Sequence, residues 1–205
     1  MESQARGGTR WRRFGLVMVP SVAATAAIGV AISSGALATS LSMSGDAFKV
    51  RVERLEGNGF VQYGTVITTA GDGERAVAVS AFDHATITEL CQSVVVSLPI
   101  IGDVTLRITA GTTPGRPVEA DNLFIDVAQL DADATFSDIR IGVSTGSTGR
   151  IQDGDGNAQA DSFAQQAEGA VLTDVEQVAY GTSAGTFTLT DLSLSLHTGS
   201  DDECF

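Results

Sequence analysis

The sequence predicts an all-β fold: a curved antiparallel sheet, closed as a sandwich or half-barrel, behind an N-terminal hydrophobic helix that is a signal peptide or membrane anchor. Three observations predict it. Apolar residues alternate at period two through most of residues 39–205, the mark of strands with one buried face. Breakers divide that region at Leu98-Pro99, at "GTTPGRP" around Pro114 and Pro117, and at residues 142–149 and 181–185. No segment after Ala38 carries convincing helical periodicity, residues 162–170 being one weak exception.

The N-terminal element comes first. Arg6, Arg10, Arg12 and Arg13 precede a run from residue 14 to 38 without a charged side chain, the arrangement of an export signal. Pro20 interrupts the run, serine and threonine dilute it, and it ends in the small-x-small pattern Ala36-Leu37-Ala38. Cleavage after Ala38 is therefore expected, with an uncleaved anchor as the alternative. Losing residues 1–38 removes four of the 12 Lys/Arg and one of the 25 Asp/Glu, leaving 8 against 24 and a formal charge of −16. Such a surface repels nucleic acid and anionic headgroups, so neither is an expected partner. What remains, residues 39–205, suits a single extracytoplasmic domain.

The strands follow in order. Phe48, Val50 and Val52 alternate, as do Val77 and Val79, then Val94, Val96 and Leu98. Several times an apolar residue is followed by a polar or small pair and then by a run in the opposite phase. This occurs at Ile101, Gly102-Asp103, Val104; at Ala120, Asp121-Asn122, Leu123; at Phe136, Ser137-Asp138, Ile139; and at Leu189, Thr190-Asp191, Leu192. Thr88-Glu89 and Thr173-Asp174 are looser copies. Each implies a bulge or corner that returns the next side chains to the core, as a strongly curved sheet requires. The copies begin 14, 19, 16, 36 and 17 residues apart, too irregular for a strict repeat, so an irregular β-solenoid is the alternative architecture.

Candidate chemistry is sparse. Gly142-Val143-Ser144-Thr145-Gly146 matches the nucleophile-elbow pattern G-x-S-x-G, which needs a strand, a sharp turn and a following helix. No helical pattern follows Ser144, and the same pattern recurs around Ser183, where a hairpin residue is expected. A base must be His84 or His197; the order Ser144, Asp191, His197 would suit an esterase triad. A turn serine is the preferred reading. In "DGDGNAQAD", Asp153, Asp155, Asn157 and Asp161 occupy the 1, 3, 5 and 9 positions of a calcium loop, but Ala158 replaces the turn glycine and the bidentate Glu is missing. A solvated acidic loop is expected first, a weak calcium site second. Cys91 and Cys204 are the two cysteines; an even count in an exported chain means a structural bridge, and the spacing is not that of a redox C-x-x-C.

"SGDAFKVRVERLEGNGFVQYG", "ATITELCQSVV", "SAGTFTLTDLSLSL" and the terminal "DECF" resemble a family of exported proteins from streptomycetes and related actinobacteria whose members often carry the name cholesterol esterase. The likeness runs over nearly the whole chain, and the LCQS cysteine with a C-terminal ECF is its most specific part. It implies an envelope or secreted location, a Cys91–Cys204 disulfide, and a small multi-pass membrane protein as partner. It carries no catalytic residue onto Ser144 or Ser183. The expected function is a non-enzymatic envelope protein, either a structural or partner-binding module or a holder of a lipid or other apolar ligand; a serine esterase using Ser144 is the alternative. An internal apolar cavity of roughly 300 to 1,000 Å³ separates the ligand reading from the module reading.

Overall fold

The computed structural model describes residues 43–44, 46–70, 73–152 and 155–205; the expected signal segment and Asp153 lie outside them. Residues from Ser40 to Phe205 form one compact unit. It is almost entirely strand: β1 (Met43–Ser44), β2 (Phe48–Ala70), β3 (Gly73–Thr88), β4 (Leu90–Leu98), β5 (Gly102–Ala110), β6 (Val118–Ser137), β7 (Arg140–Ser144), β8 (Phe163–Ser183), β9 (Thr186–Thr188) and β10 (Ser193–Thr198). Apart from the short parallel pair β1–β2, all pairings are antiparallel. The expected curved antiparallel sheet is present, and the solenoid alternative is not.

Its four long strands pair in a circuit, β2 with β3, β3 with β6, β6 with β8, and β8 back with β2. The sheet thus curls into a ring. All four contribute to one apolar core that includes Val52, Leu55 and Phe60 of β2, Phe82 and Ile87 of β3, Leu123 and Ile125 of β6, and Leu172 and Val175 of β8. Phe60 anchors it, its ring centroid 5.3 Å from that of Phe82 and 5.1 Å from that of Phe136. The ring is tight enough to demand a glycine: a Cβ on Gly57 would lie 2.5 Å from Cδ1 of Phe82 and 3.0 Å from the His84 carbonyl.

The phase breaks coincide with left-handed backbone. Among the described residues, the non-glycine positions at positive φ are Glu89, Asn122, Asp138, Asp174 and Asp191, and every one lies in a polar pair that breaks the alternation. Buried positions shift from Ala85 and Ile87 to Leu90 across Glu89, from Val118 and Ala120 to Leu123 and Ile125 across Asn122, and from Ala170 and Leu172 to Val175 across Asp174. Both expected forms of the break, corner and bulge, occur. Pairing runs Phe82↔Leu123 to His84↔Asp121 and Val52↔Val175 to Arg54↔Thr173 without a change of register, so these crossings are one-residue kinks, whereas β6 and β8 shift register from Asp131↔Glu176 to Asp133↔Thr173, a bulge at Asp174.

The kinks align across the strands. Counting along the registers sets Asn122 opposite Asp83, Asp83 opposite Gly59 (φ 63), Gly59 opposite Glu168, and Glu168 opposite Asp138. A second line runs from Asp191 through Gly111 (φ 64) and Glu89 to Glu53 and Asp174. The sheet is therefore folded along two creases, each crossing several strands. The weak helical signal at 162–170 has the same origin. Ala164, Ala167 and Ala170 are buried at a spacing of three because β8 crosses a crease there, and the segment is strand.

Two elements close the outside. Residues 145–152 and 155–162 lie over the outer face of the ring, where Val61, Tyr63, Val79, Ala81 and Ala164 form a second core packed by Phe124, Val143 and Ala158. Arg150 fastens this pad: it donates to the Phe82 carbonyl (2.8 Å), pairs with Asp83 and stacks over Phe124. The C-terminal tail returns across β4 and β5. The expected disulfide Cys91–Cys204 is present; the Cys204 amide donates to Ser93 Oγ (3.0 Å), Thr105 Oγ1 to the Gly199 carbonyl (2.6 Å), and Lys49 to Glu203 (2.9 Å).

A non-glycine residue in the left-handed region costs about 1–2 kcal/mol. Asp174 is exposed and offers a clean test. Asp174→Gly is expected to hold or raise stability by up to about 1 kcal/mol, and Asp174→Val to lower it by more than 1 kcal/mol, as measured by denaturant unfolding.

Candidate functional site

Ser144 is exposed at the end of β7 and is followed by a single 3-10 turn, Thr145–Ser147, not by the helix a nucleophile elbow requires. Its proposed partners lie elsewhere. Asp191 pairs with Arg116 (2.6 Å), His84 with Asp121 (2.8 Å), and His197 with Ser195 and Asp202. Ser183 is no hairpin residue either. β8 and β9 lie in line along β6 in one register, Phe124↔Ser183 continuing as Asp121↔Thr186, and the Ser183 hydroxyl accepts from Gln152 (3.1 Å).

A different serine meets a histidine. Ser195 Oγ stands 2.9 Å from Nε2 of His197, whose Nδ1 is 3.3 Å from an Asp202 oxygen. Sequence reasoning missed Ser195 because "SLSLHT" reads as plain strand alternation. Ser195 lies within β10, register-paired with Arg107, in extended backbone rather than at a strained turn. A hydrogen-bonded chain supplies a base, but catalysis also needs donors placed for the developing oxyanion.

The acidic loop is built differently from an EF-hand. Asp155 Oδ1 accepts from Thr65 Oγ1 (2.8 Å) and from the amides of Asn157 and Ala158 (3.2 and 3.0 Å), while the Asn157 amide group donates to the Val66 carbonyl (2.8 Å). Asp155 and Asn157 thus pin the pad to β2, and Asp161 is exposed. Among the described residues no three His, Cys, Asp or Glu side chains gather as a metal-binding group.

Beneath the pad lies a group that sequence reasoning did not find. Asp126 is 2% exposed, and among the described residues neither its Oδ1 nor the buried Oδ2 of Asp155 has a hydrogen-bond partner. Burial first and the neighbouring Asp155 charge second push the Asp126 carboxyl up to about 6. Tyr63, whose hydroxyl accepts from the Gln152 amide (3.0 Å), is pushed up to about 12, chiefly by burial and further by the charges of Asp155 and Asp126.

The ring interior holds a cavity of about 140 Å³ lined by Leu55, Phe60, Phe82, Ile125, Phe136 and Leu172 among others. That is well under the roughly 300–1,000 Å³ of ligand sites, and is the size that takes a benzene-like molecule. The exposed apolar surface lies elsewhere. On β4, β5 and β10 the alternating residues expected to be buried face outward: Leu194 is register-paired with Ile108, Leu196 with Leu106, and Val96 with Val104. Val96, Leu98, Ile100, Ile101, Leu192, Leu194 and Leu196 range from 40% to 97% exposed. The reason is the tail, which is bonded to Cys91, Ser93 and Thr105 and so occupies the opposite, more polar face.

Asp126 makes stability pH-dependent. Its folded value is raised from 3.8 to about 6, so the folded state binds the proton more tightly. The burden is absent below about pH 4, grows as pH rises through 6, and reaches about 3 kcal/mol by pH 8. In metal-free buffer, Asp126→Asn is expected to be the more stable protein at pH 8 and to lose most of this slope, as read by urea unfolding at pH 4.5, 6 and 8.

No curated protein and no solved structure matches the chain. A family model described as a family of unknown function (DUF6230) matches residues 44–205, the whole all-β unit with its tail, its pad and its exposed sheet face, and the chain belongs to that family.

Proposed function

We propose that this chain is a non-enzymatic, extracytoplasmic module that binds a protein partner through the apolar face of β4, β5 and β10. The observation that carries the reading is that face. On it Val96, Leu98, Leu194 and Leu196 are 40–67% exposed, and the exposed Ile100 and Ile101 of the β4–β5 turn and Leu192 before β10 adjoin these strands in sequence, more than the isolated apolar residues of an ordinary surface. Positions 92, 94, 96 and 98 of β4, 104, 106 and 108 of β5, and 194 and 196 of β10 hold no charged residue, so nothing there attracts a headgroup. A membrane-embedded protein with an apolar flank fits both the patch and the partner the family resemblance implies. Strand β10 ends the order of the sheet, so its outer edge can add a strand from that partner. The disulfide is consistent with an extracytoplasmic place. The small ring cavity weighs against lipid carriage.

A hydrolase is the second reading, favoured by Ser195, His197 and Asp202 rather than by Ser144. One experiment separates the two. With a photo-crosslinker at Leu192 in the secreting cell, an adduct to one membrane protein is expected, and Leu194→Asp with Leu196→Asp removes it with little change in unfolding midpoint, since both side chains are already in water. An adduct indifferent to those charges would sink the docking reading. Fluorophosphonate labelling of the oxidised wild type that vanishes in Ser195→Ala would replace it with the hydrolase.

A further inference from the structure

We propose that Asp126 and Asp155 hold a calcium-sized divalent cation beneath the pad formed by residues 145–152 and 155–162. The inference stands independently of the docking surface. A buried carboxylate needs donors or a counter-charge, because its lone pairs have lost water. Asp126 has neither: it is 98% buried by its 2% exposure, Oδ1 accepts no hydrogen bond, and the charge acting on it is a second carboxylate. Asp155 is half provided for. Its Oδ1 takes the Thr65 hydroxyl and two amides of its own turn, while the buried Oδ2 has no donor among the described residues, with the Tyr63 hydroxyl beside the carboxylate.

Two buried carboxylate oxygens therefore lie within each other's field, and the Tyr63 hydroxyl lies beside Asp155 and within the field of Asp126. Adding one cation there removes the repulsion and gives both oxygens a ligand role. The donor chemistry selects the ion. All the groups at hand are oxygens, two carboxylates with the Tyr63 and Thr65 hydroxyls beside them, which excludes the nitrogen and sulfur preference of zinc. They come from β2, β6 and the pad, without the regular octahedral frame that magnesium demands; calcium accepts an irregular oxygen shell completed by water. The site differs from the EF-hand pattern read in the sequence. It keeps Asp155, takes Asp126 from a strand far away in the chain, and does not need Asp161.

The test uses the full oxidised chain in chelated buffer at pH 7.5, with calcium chloride and terbium as probes. Calcium is expected to raise the unfolding midpoint in a saturable manner, and terbium to give tyrosine-sensitised emission that calcium displaces. Asp126→Asn is expected to lose at least tenfold in calcium affinity while its calcium-free midpoint is no lower than that of the wild type, which shows that it folds. A wild type with its disulfide intact that shows no calcium response would overturn the site. Equal responses in wild type and Asp126→Asn would overturn it as well, by placing the ion elsewhere. So would a midpoint that rises on acidification to pH 5.5 while calcium does nothing at pH 7.5, the signature of a proton shared by the pair.

Discussion

The structure depends on bending a sheet sharply enough for four strands to meet around one core. Ordinary right-handed twist turns neighbouring strands by some 20–25°, which leaves a four-stranded sheet open. Here the turn is concentrated in two lines of left-handed residues, Asn122, Gly59 and Asp138 in one and Asp191, Gly111, Glu89 and Asp174 in the other. The β2–β8 and β3–β6 registers continue across these lines, so those ladders stay intact while the strands change direction, and β6 and β8 take up the turn at Asp174 with a bulge. Each non-glycine kink is locally unfavourable, and Glu89 more so than the Asp and Asn residues, whose short side chains tolerate this region. The core of Phe60, Phe82, Leu123, Leu172 and their neighbours offsets that cost, since each fully buried large side chain contributes about 1.5–3 kcal/mol.

This explains why so much of the fold was legible. A reversal of phase in a period-two pattern is written locally: two adjacent polar residues, then apolar residues on the other parity. Asn122 and Asp174 could be found without knowing their neighbours in space. What was not legible depends on contacts between distant segments. "VVVSL" and "LSLSL" alternate as buried strands do, yet whether the apolar or the polar face is covered was decided by where residues 199–205 go, and they go to the polar side. Asp126 is the converse. Between Ile125 and Val127 it reads as an outward, solvated position, and outward it is, but the pad lies over it. Ser195 and His197 are brought to Asp202 by the same tail, a meeting that strand alternation alone does not announce.

The tail is thus more than an end. The Cys91–Cys204 bridge spans 113 residues, a separation for which the chain-entropy account gives on the order of 5 kcal/mol. Its geometric effect is independent of that figure. By holding Cys204 against Ser93 and Glu203 against Lys49, it covers the polar face of a three-stranded extension that would otherwise expose both sides. A thin sheet wet on both faces is poorly stabilised; covered on one, it presents the other as a flat apolar surface.

The molecule therefore separates its tasks by layer. The ring interior is packed and nearly closed, which suits a scaffold and leaves about 140 Å³ unfilled. The outer layer carries the unusual chemistry, with a fastened pad over two carboxylates on one side and an uncovered leucine-rich sheet on the other. Natural cores tolerate an unsatisfied buried charge poorly, and a monomer has no thermodynamic use for a sheet face that leaves Val96, Leu98, Leu194 and Leu196 in water. Neither feature is needed to close the ring, because the strands that close it, β2, β3, β6 and β8, have their own core. The two features that closing the ring does not require thus both lie in the outer layer.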